Sequence, residues 1–394
     1  MMMSGMLRRT FGGVALLVLV APIVAGPVQG QEAYYPPAGG WEHRAPGAVG
    51  MDSARLAAAV AYAQEHETER PRDLELEHYI SFGREPNDTP IGPFRERGDQ
   101  TGIVVRHGYI VAEWGEPDRV DMTFSVTKSF LSTTVGLAWD RGLIAGVHDP
   151  VGPYVPAEHF ASPHNARITW DHMLRQTSDW EGTLWGKPDW ADRPPPDVPL
   201  AEYVVRERNE PGTVYKYNDV RVNMLALAAL HVWRRPLPEV LRTLVMDPIG
   251  ASNTWRWLGY DNSWVTIDGI RMQSVSGGGH WGGGMFISAR DLARFGLLTL
   301  RRGQWNGEQV LSDEWFAMAL APTAANPGYG FMNFFLNTGR RAVPSAPESA
   351  FYHLGSGANV VYVDPEHDLV IVARWIEGQA LAALAQHVLE AVID

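Results

Sequence analysis

Ser125 and Lys128 stand three residues apart in "FSVTKSF", within a stretch of helical spacing. On a helix that spacing puts both side chains on one face, a turn apart. A serine hydroxyl is a weak nucleophile until a neighbouring base takes its proton, and an unprotonated lysine can do so. Arginine cannot, because its guanidinium stays charged in proteins. The lysine is therefore informative in a chain with three lysines and thirty arginines. With 17 serines, a chance Ser-x-x-Lys match still has odds of about one in eight, so spacing alone does not decide the matter. Apolar and small neighbours around the pair are unlike a solvated helix face. Desolvation or a second cation would have to lower the lysine pKa for it to act as a base.

Two further clusters suit the same chemistry. "EPGTVYKYNDVRVNMLALAAL" places Tyr217 at a loop-to-helix transition. A phenol close to a cation can shuttle a proton between nucleophile and leaving group, although packed aromatics are the commoner use of such tyrosines. "FYHLGSGANVVYVD" places His353 at the start of a strand, followed by Gly355 and Gly357. Those glycines would let backbone N–H groups approach a ligand closely, as an oxyanion hole requires. Fifteen tryptophans are many for this length, and Trp170, Trp180, Trp185, Trp190, Trp255, Trp257 and Trp264 fall between the clusters. They could wall an apolar acyl or aryl pocket or simply pack short helices; Trp281, within "GGGHWGGG", is the best pocket candidate. Histidines such as His280 and His353 lack H-E-x-x-H or comparable spacing, so no metal site and no cofactor is expected.

These residues need a scaffold. "MDSARLAAAVAYAQEHE" opens with a capping Asp52 or Ser53 and reads as a helix. "GIVVRHGYIVAEWG" reads as a hairpin turning at Gly108. The Ser125 segment follows as a helix from about Ser125 to Arg141, ended by Gly142. Residues 145–275 are rich in Pro, Trp and short helical patterns and read as an inserted, mostly helical lobe. Strand patterns return in "YGFMNFFLN", "ANVVYVD" and "DLVIVARWI", with "PEHD" turning between the last two. A helix from Ala380 to Val392 closes the chain. Strands from both ends around a helical middle predict an α+β fold, an antiparallel sheet flanked by helices, with a cleft beside the inserted lobe.

Composition is that of an ordinary globular protein, 45% hydrophobic and 20% charged, enough for a sizeable core. Arg8 and Arg9 before the apolar run Val14 to Val20 make residues 1–30 a signal-peptide layout, loosely twin-arginine, with cleavage after Ala25 or near Gly30. Residues 31–50, rich in Pro, Gly and Ala, read as a linker, leaving 51–394 as the functional domain. Without the two arginines of residues 1–30 the chain keeps 31 basic against 45 acidic residues, a net charge of −14. An acidic exported protein, periplasmic or secreted, is a poor partner for nucleic acid or anionic membrane, and no stable membrane insertion is expected after cleavage. With no cysteine there is no disulfide, thiolate nucleophile or Cys-based metal site.

Taken in order, the clusters resemble the β-lactamase-related serine hydrolases: class C β-lactamases, penicillin-binding DD-peptidases, class VIII-type carboxylesterases, D-aminopeptidases and 6-aminohexanoate-oligomer hydrolases. The resemblance runs from about residue 50 to 390. "SVTK" is similar to the family's Ser-x-x-Lys, "PGTVYKYNDVRVNML" to its tyrosine segment, "ITWDHMLRQTSDWEG" to the segment between them, "GGGHWGGGMFISARDLARFGLLTL" to its Gly-rich segment, and "HLGS" to its third motif. It implies a β-lactamase/transpeptidase-like fold, with Ser125 as nucleophile, Lys128 as its base partner and Tyr217 relaying the proton. It also implies an oxyanion hole of the Ser125 and Ser356 N–H groups, with His353 lining the site near the substrate's polar end.

Two departures matter. Asp219 stands where the family usually has Asn; it could steady Lys128 and would tend to keep it protonated, leaving open whether Lys128 or Tyr217 is the resting base. Asn218 could take over part of the missing amide's role. His353 replaces the lysine of many members, and grips a β-lactam carboxylate less firmly. Ester or small amide hydrolysis is therefore expected ahead of β-lactamase or DD-peptidase activity. The alternative of a different class is a non-catalytic binding or sensory module on the same scaffold.

Overall fold

The structure, a computed structural model, describes Met1 and residues 33–393. The expected signal segment, Met1 apart, lies outside the described residues.

Along the chain, helix α1 (Ser53–Glu65) is capped by Asp52, whose carboxylate accepts from the N–H groups of Ala54 and Arg55 at 2.9 Å. Helix α2 (Leu74–Phe82) follows, and then the hairpin β1 (Thr101–Arg106) and β2 (Tyr109–Trp114). Short β3 (Asp121–Met122) leads into a 3-10 turn, Phe124–Val126, and helix α3 (Thr127–Asp140). The middle of the chain carries short helices and the long α4 (Asp219–Trp233). Strands β4 (Arg256–Ile267), β5 (Ile270–Val275) and β6 (Gly284–Ile287) come next, followed by α5 (Ala289–Leu300). The last strands are β7 (Phe335–Leu336), β8 (Phe351–Gly355), β9 (Asn359–Asp364) and β10 (Leu369–Arg374), before helix α6 (Leu381–Glu390).

The principal sheet has the order β7-β8-β9-β10-β1-β2 and is antiparallel throughout, so the first hairpin zips onto the last strand. The period of two along its buried strands feeds two cores. Leu369, Ile371 and Ala373 face α1 and α6, while Val370 and Val372 face α5. Gly296 permits the second contact: a Cβ on it would stand 2.7 Å from methyls of both Val361 and Val370. Behind α5 the apolar faces of α3 and α4 continue the same core.

A second sheet, β3-β6-β4-β5, lies beside the Phe124–Val126 turn. Two of its strands fall in 256–275, which was expected to belong to the helical lobe. The signal was Asp268-Gly269 between Ile267 and Ile270, with φ +55° and +79°, the left-handed pair of a tight hairpin. Conversely, "YGFMNFFLN" contributes only Phe335–Leu336 as strand. Asn333 takes φ +62° and the chain folds back so that Tyr329 bridges Phe335.

Residues 34–50, expected as a linker, are instead packed on the domain. Tyr34 stacks on Tyr109 at 4.2 Å, Trp41 donates to the Gly108 carbonyl at 2.7 Å, and Arg294 donates to the carbonyls of Pro36, Pro37 and Gly40. Proline- and glycine-rich composition left most of these contacts invisible, because the Trp41 and Arg294 bonds go to backbone carbonyls.

Candidate active site

The turn before α3 is held by β6: the Thr123 N–H donates to the Met285 carbonyl, and the Met285 N–H donates to Thr127 Oγ1, both at 2.9 Å. Between them Phe124 is forced to φ +47°, a conformation costing a bulky residue about 1–3 kcal/mol. Ser125 is the middle residue of the 3-10 turn, two residues before α3 begins. One turn on, the Lys128 Nζ stands 2.9 Å from Ser125 Oγ and 2.6 Å from Asp219 Oδ1, with Lys128 fully buried.

Asp219 is delivered by the first turn of α4. Asn218 caps that helix, its Oδ1 accepting the Arg221 N–H at 3.1 Å and its Nδ2 donating to the Asp189 carbonyl at 2.7 Å. Asn218 is thereby committed to the fold and does not replace the family's amide. Burial alone would raise the Asp219 carboxyl, but the charges of Lys128 and Arg193 outweigh it and hold the group well below the usual carboxylate range. The Tyr217 ring lies beside the lysine, with Nζ 4.7 Å from its centroid. Burial first, and then the charge of Asp219, push that phenol well above its ordinary value. Tyr217 is therefore a neutral phenol at neutral pH.

The fourth wall is the end of β8. A Cβ on Gly355 would stand 2.2 Å from the Thr123 carbonyl and 3.2 Å from the Ser125 nitrogen, so only glycine lets this strand reach the Ser125 turn. Among the described residues, no backbone carbonyl accepts from the Ser125 or Ser356 N–H. The turn after Gly355 is pinned by Asn359, which donates to the Ser356 carbonyl at 2.7 Å and accepts from Arg374 at 2.8 Å.

A family model described as Beta-lactamase matches residues 94–375. The chain belongs to the β-lactamase family. That is a family of serine hydrolases, with esterase, amidase and penicillin-binding members. The 6-aminohexanoate-dimer hydrolase of Paenarthrobacter ureafaciens is 25% identical over 248 residues, covering 56% of this chain and 56% of that enzyme. Among solved structures, EstCE1, described as a hydrolase with promiscuous acyltransferase activity, is 16% identical with a TM-score of 0.57, covering 86% of this chain and 99% of that one. A family VIII carboxylesterase is 16% identical with a TM-score of 0.55, covering 86% and 97%. At these identities the structural likeness speaks for the fold alone.

Within this β-lactamase-family chain the structure brings Ser125, Lys128, Tyr217, Asp219 and Gly355, with Ser356 after it, to one place. His353 is not among them. It is 0% exposed and set among Phe295, Phe334 and Phe351, with Nδ1 2.9 Å from Ser129 Oγ and 3.2 Å from the Asn333 carbonyl. Burial pushes it down to about 4, so it offers no cation to a substrate at neutral pH. Trp281 is also 0% exposed; its ring carries Lys187 at 5.2 Å, and its carbonyl accepts from Ile91 and Gly92. It is core, not pocket lining.

Sequence reasoning missed several neighbours. Gly278, inside the noted glycine run, abuts the ion pair: a Cβ there would stand 1.9 Å from Asp219 Oδ1 and 2.1 Å from Lys128 Nζ. Arg193 donates to Asp219 Oδ2 at 2.8 Å and pairs with Asp192. His280 lies 3.7 Å from Asp219 Oδ2 and 3.0 Å from Glu85. Arg70, from the segment before α2, donates to Ser356 Oγ at 3.1 Å. None of the arginines carries a local signal, since each reaches the site from an irregular segment.

Proposed function

We propose that the chain is an exported serine hydrolase that forms a covalent acyl-enzyme on an ester or small amide bond. The observation that carries this reading is the Lys128 amine at 2.9 Å from the Ser125 hydroxyl, with the Tyr217 ring against the same amine. An unprotonated Lys128 takes the Ser125 proton as the oxygen attacks the substrate carbonyl. The Ser125 and Ser356 N–H groups receive the oxyanion. When the tetrahedral species collapses, Tyr217 gives its proton to the leaving group and recovers one from the Lys128 ammonium. Water then attacks the Ser125 ester, passes its proton back along the same path and releases the acid.

The neutral, enclosed His353 supports ester or small amide substrates over β-lactams, whose carboxylate is better held by a permanent cation. Export rests on the order of Arg8, Arg9 and the apolar run after them. The test is turnover of short-chain p-nitrophenyl esters by the mature protein. The reading requires measurable hydrolysis that Ser125→Ala abolishes; hydrolysis that survives Ser125→Ala would refute it.

A further inference from the structure

Asp219 poses a physical problem that the rest of the site must answer. A base has to give up its charge, yet Lys128 is hydrogen-bonded to a carboxylate that is only 1% exposed. If Lys128 were the sole partner, its neutral form would strand that carboxylate in the protein interior, which costs several kcal/mol or more. A buried carboxylate in this position therefore works against the base unless another cation holds it.

Arg193 is that cation. Its Nη1 donates to Asp219 Oδ2, the oxygen that Lys128 does not use, at 2.8 Å. The guanidinium is kept there from every side. Asp192 pairs with the same Nη1, Phe82 lies under it at 5.2 Å, the Tyr217 ring flanks it at 5.2 Å, and Lys216 Nζ donates to the backbone carbonyl of Arg193. Its backbone sits at φ +49°, an uncommon conformation for a residue other than glycine.

The other titratable groups around the pair do not take over the role. His280, 3.7 Å from Asp219 Oδ2, is pushed down to about 4 by burial and by Arg193, and is neutral. Asp192 accepts the Asp219 N–H and is pushed up, chiefly by burial and further by the charge of Asp219. Glu85 is hydrogen-bonded to the far nitrogen of His280, and Tyr217 and Tyr329 are neutral phenols. Asp219 is the carboxylate that Lys128 and Arg193 share, and Arg193 is the cation that cannot lose its proton.

We propose that Arg193 is a positioning residue that holds the charge of Asp219, so that Lys128 can give up its proton and serve Ser125 as a base. The proposal rests on the serine hydrolase reading above and adds to it the reason an aspartate is tolerated beside the base.

The test is the pH profile of kcat/KM on p-nitrophenyl acetate, paired with the rate of Ser125 labelling by a fluorophosphonate. Arg193→Met should move the acidic limb of both profiles upward by about one unit or more, with a loss of about tenfold or more at pH 7. Arg193→Lys should keep the limb near its place. Asp219→Asn should make Arg193 dispensable, so that Arg193→Met on the Asp219→Asn background moves the limb by less than half as much. A purely structural arginine would instead give a loss that is the same at every pH and is not relieved by Asp219→Asn, and that result overturns the proposal. Should Arg193→Met not fold, Arg193→Lys and the double variant carry the comparison; a double variant as impaired as a misfolded single one counts against the proposal. A wild-type protein that neither turns over esters nor labels at Ser125 fails the hydrolase reading itself, a different result from a pH-independent loss in an active enzyme.

Discussion

Gly278 and Lys128 are in such close contact that one added carbon atom would stand 2.1 Å from the lysine nitrogen. No side chain larger than hydrogen fits there without pushing Lys128 off Asp219 or Ser125. The glycine is thus part of the geometry of the base, although it has no chemistry of its own. Gly278→Ala should lower kcat/KM on p-nitrophenyl esters about 100-fold, the usual consequence of misplacing a reacting group by about 1 Å. Circular dichroism should show the fold retained. An alanine variant of near-normal activity would show that the pair tolerates displacement.

His353 makes a prediction about substrates. As a neutral core residue it gives no anchor for a β-lactam carboxylate, so nitrocefin should be turned over at least about 100-fold less efficiently than a short-chain ester, a gap of about 3 kcal/mol in transition-state binding. Comparable kcat/KM values for the two would show that another group supplies the anchor.

The same residue makes a prediction about stability. His353 and His280 are both depressed to about 4 in the folded protein, from an ordinary value near 6.5. The unfolded chain therefore binds more protons than the native one between those limits, and stability rises with pH across that interval. The stabilisation is full above about pH 6.5 and drains away as pH falls towards about 4. Urea midpoints measured at pH 7, 5.5 and 4.5 should fall in that order. The drop should be smaller in His353→Phe, whatever its stability at pH 7, and an equal drop would remove His353 from the account.

How much of this was legible depended on what each feature rests on. Ser125, Lys128, Tyr217 and Asp219 could be placed together because the proposed roles of nucleophile, base and relay would demand particular residue types, each at the edge of a helix. The two-ended antiparallel sheet was legible in the apolar runs of β1, β2, β9 and β10. The motif put His353 in a strand, and Phe351–Gly355 is one, but its expected place lining the site did not hold. It carried no information on the Phe295, Phe334 and Phe351 rings that close over the side chain, and these come from distant segments. Trp281 misled for the same reason. Arg193 was beyond reach, because "WADRPPP" has no periodicity and only the bent loop reveals where its guanidinium goes.

The central claim is that Lys128 activates Ser125 by accepting its proton. It is tested most directly by the rate at which a fluorophosphonate labels Ser125, located by mass spectrometry, in the wild-type protein and in Lys128→Arg. Arginine keeps the positive charge beside Asp219 but cannot act as a base. The account predicts an adduct on Ser125 in the wild type and labelling slowed by at least about 100-fold in the variant, within the range that general-base catalysis supplies. Equal labelling rates in the two proteins would contradict it.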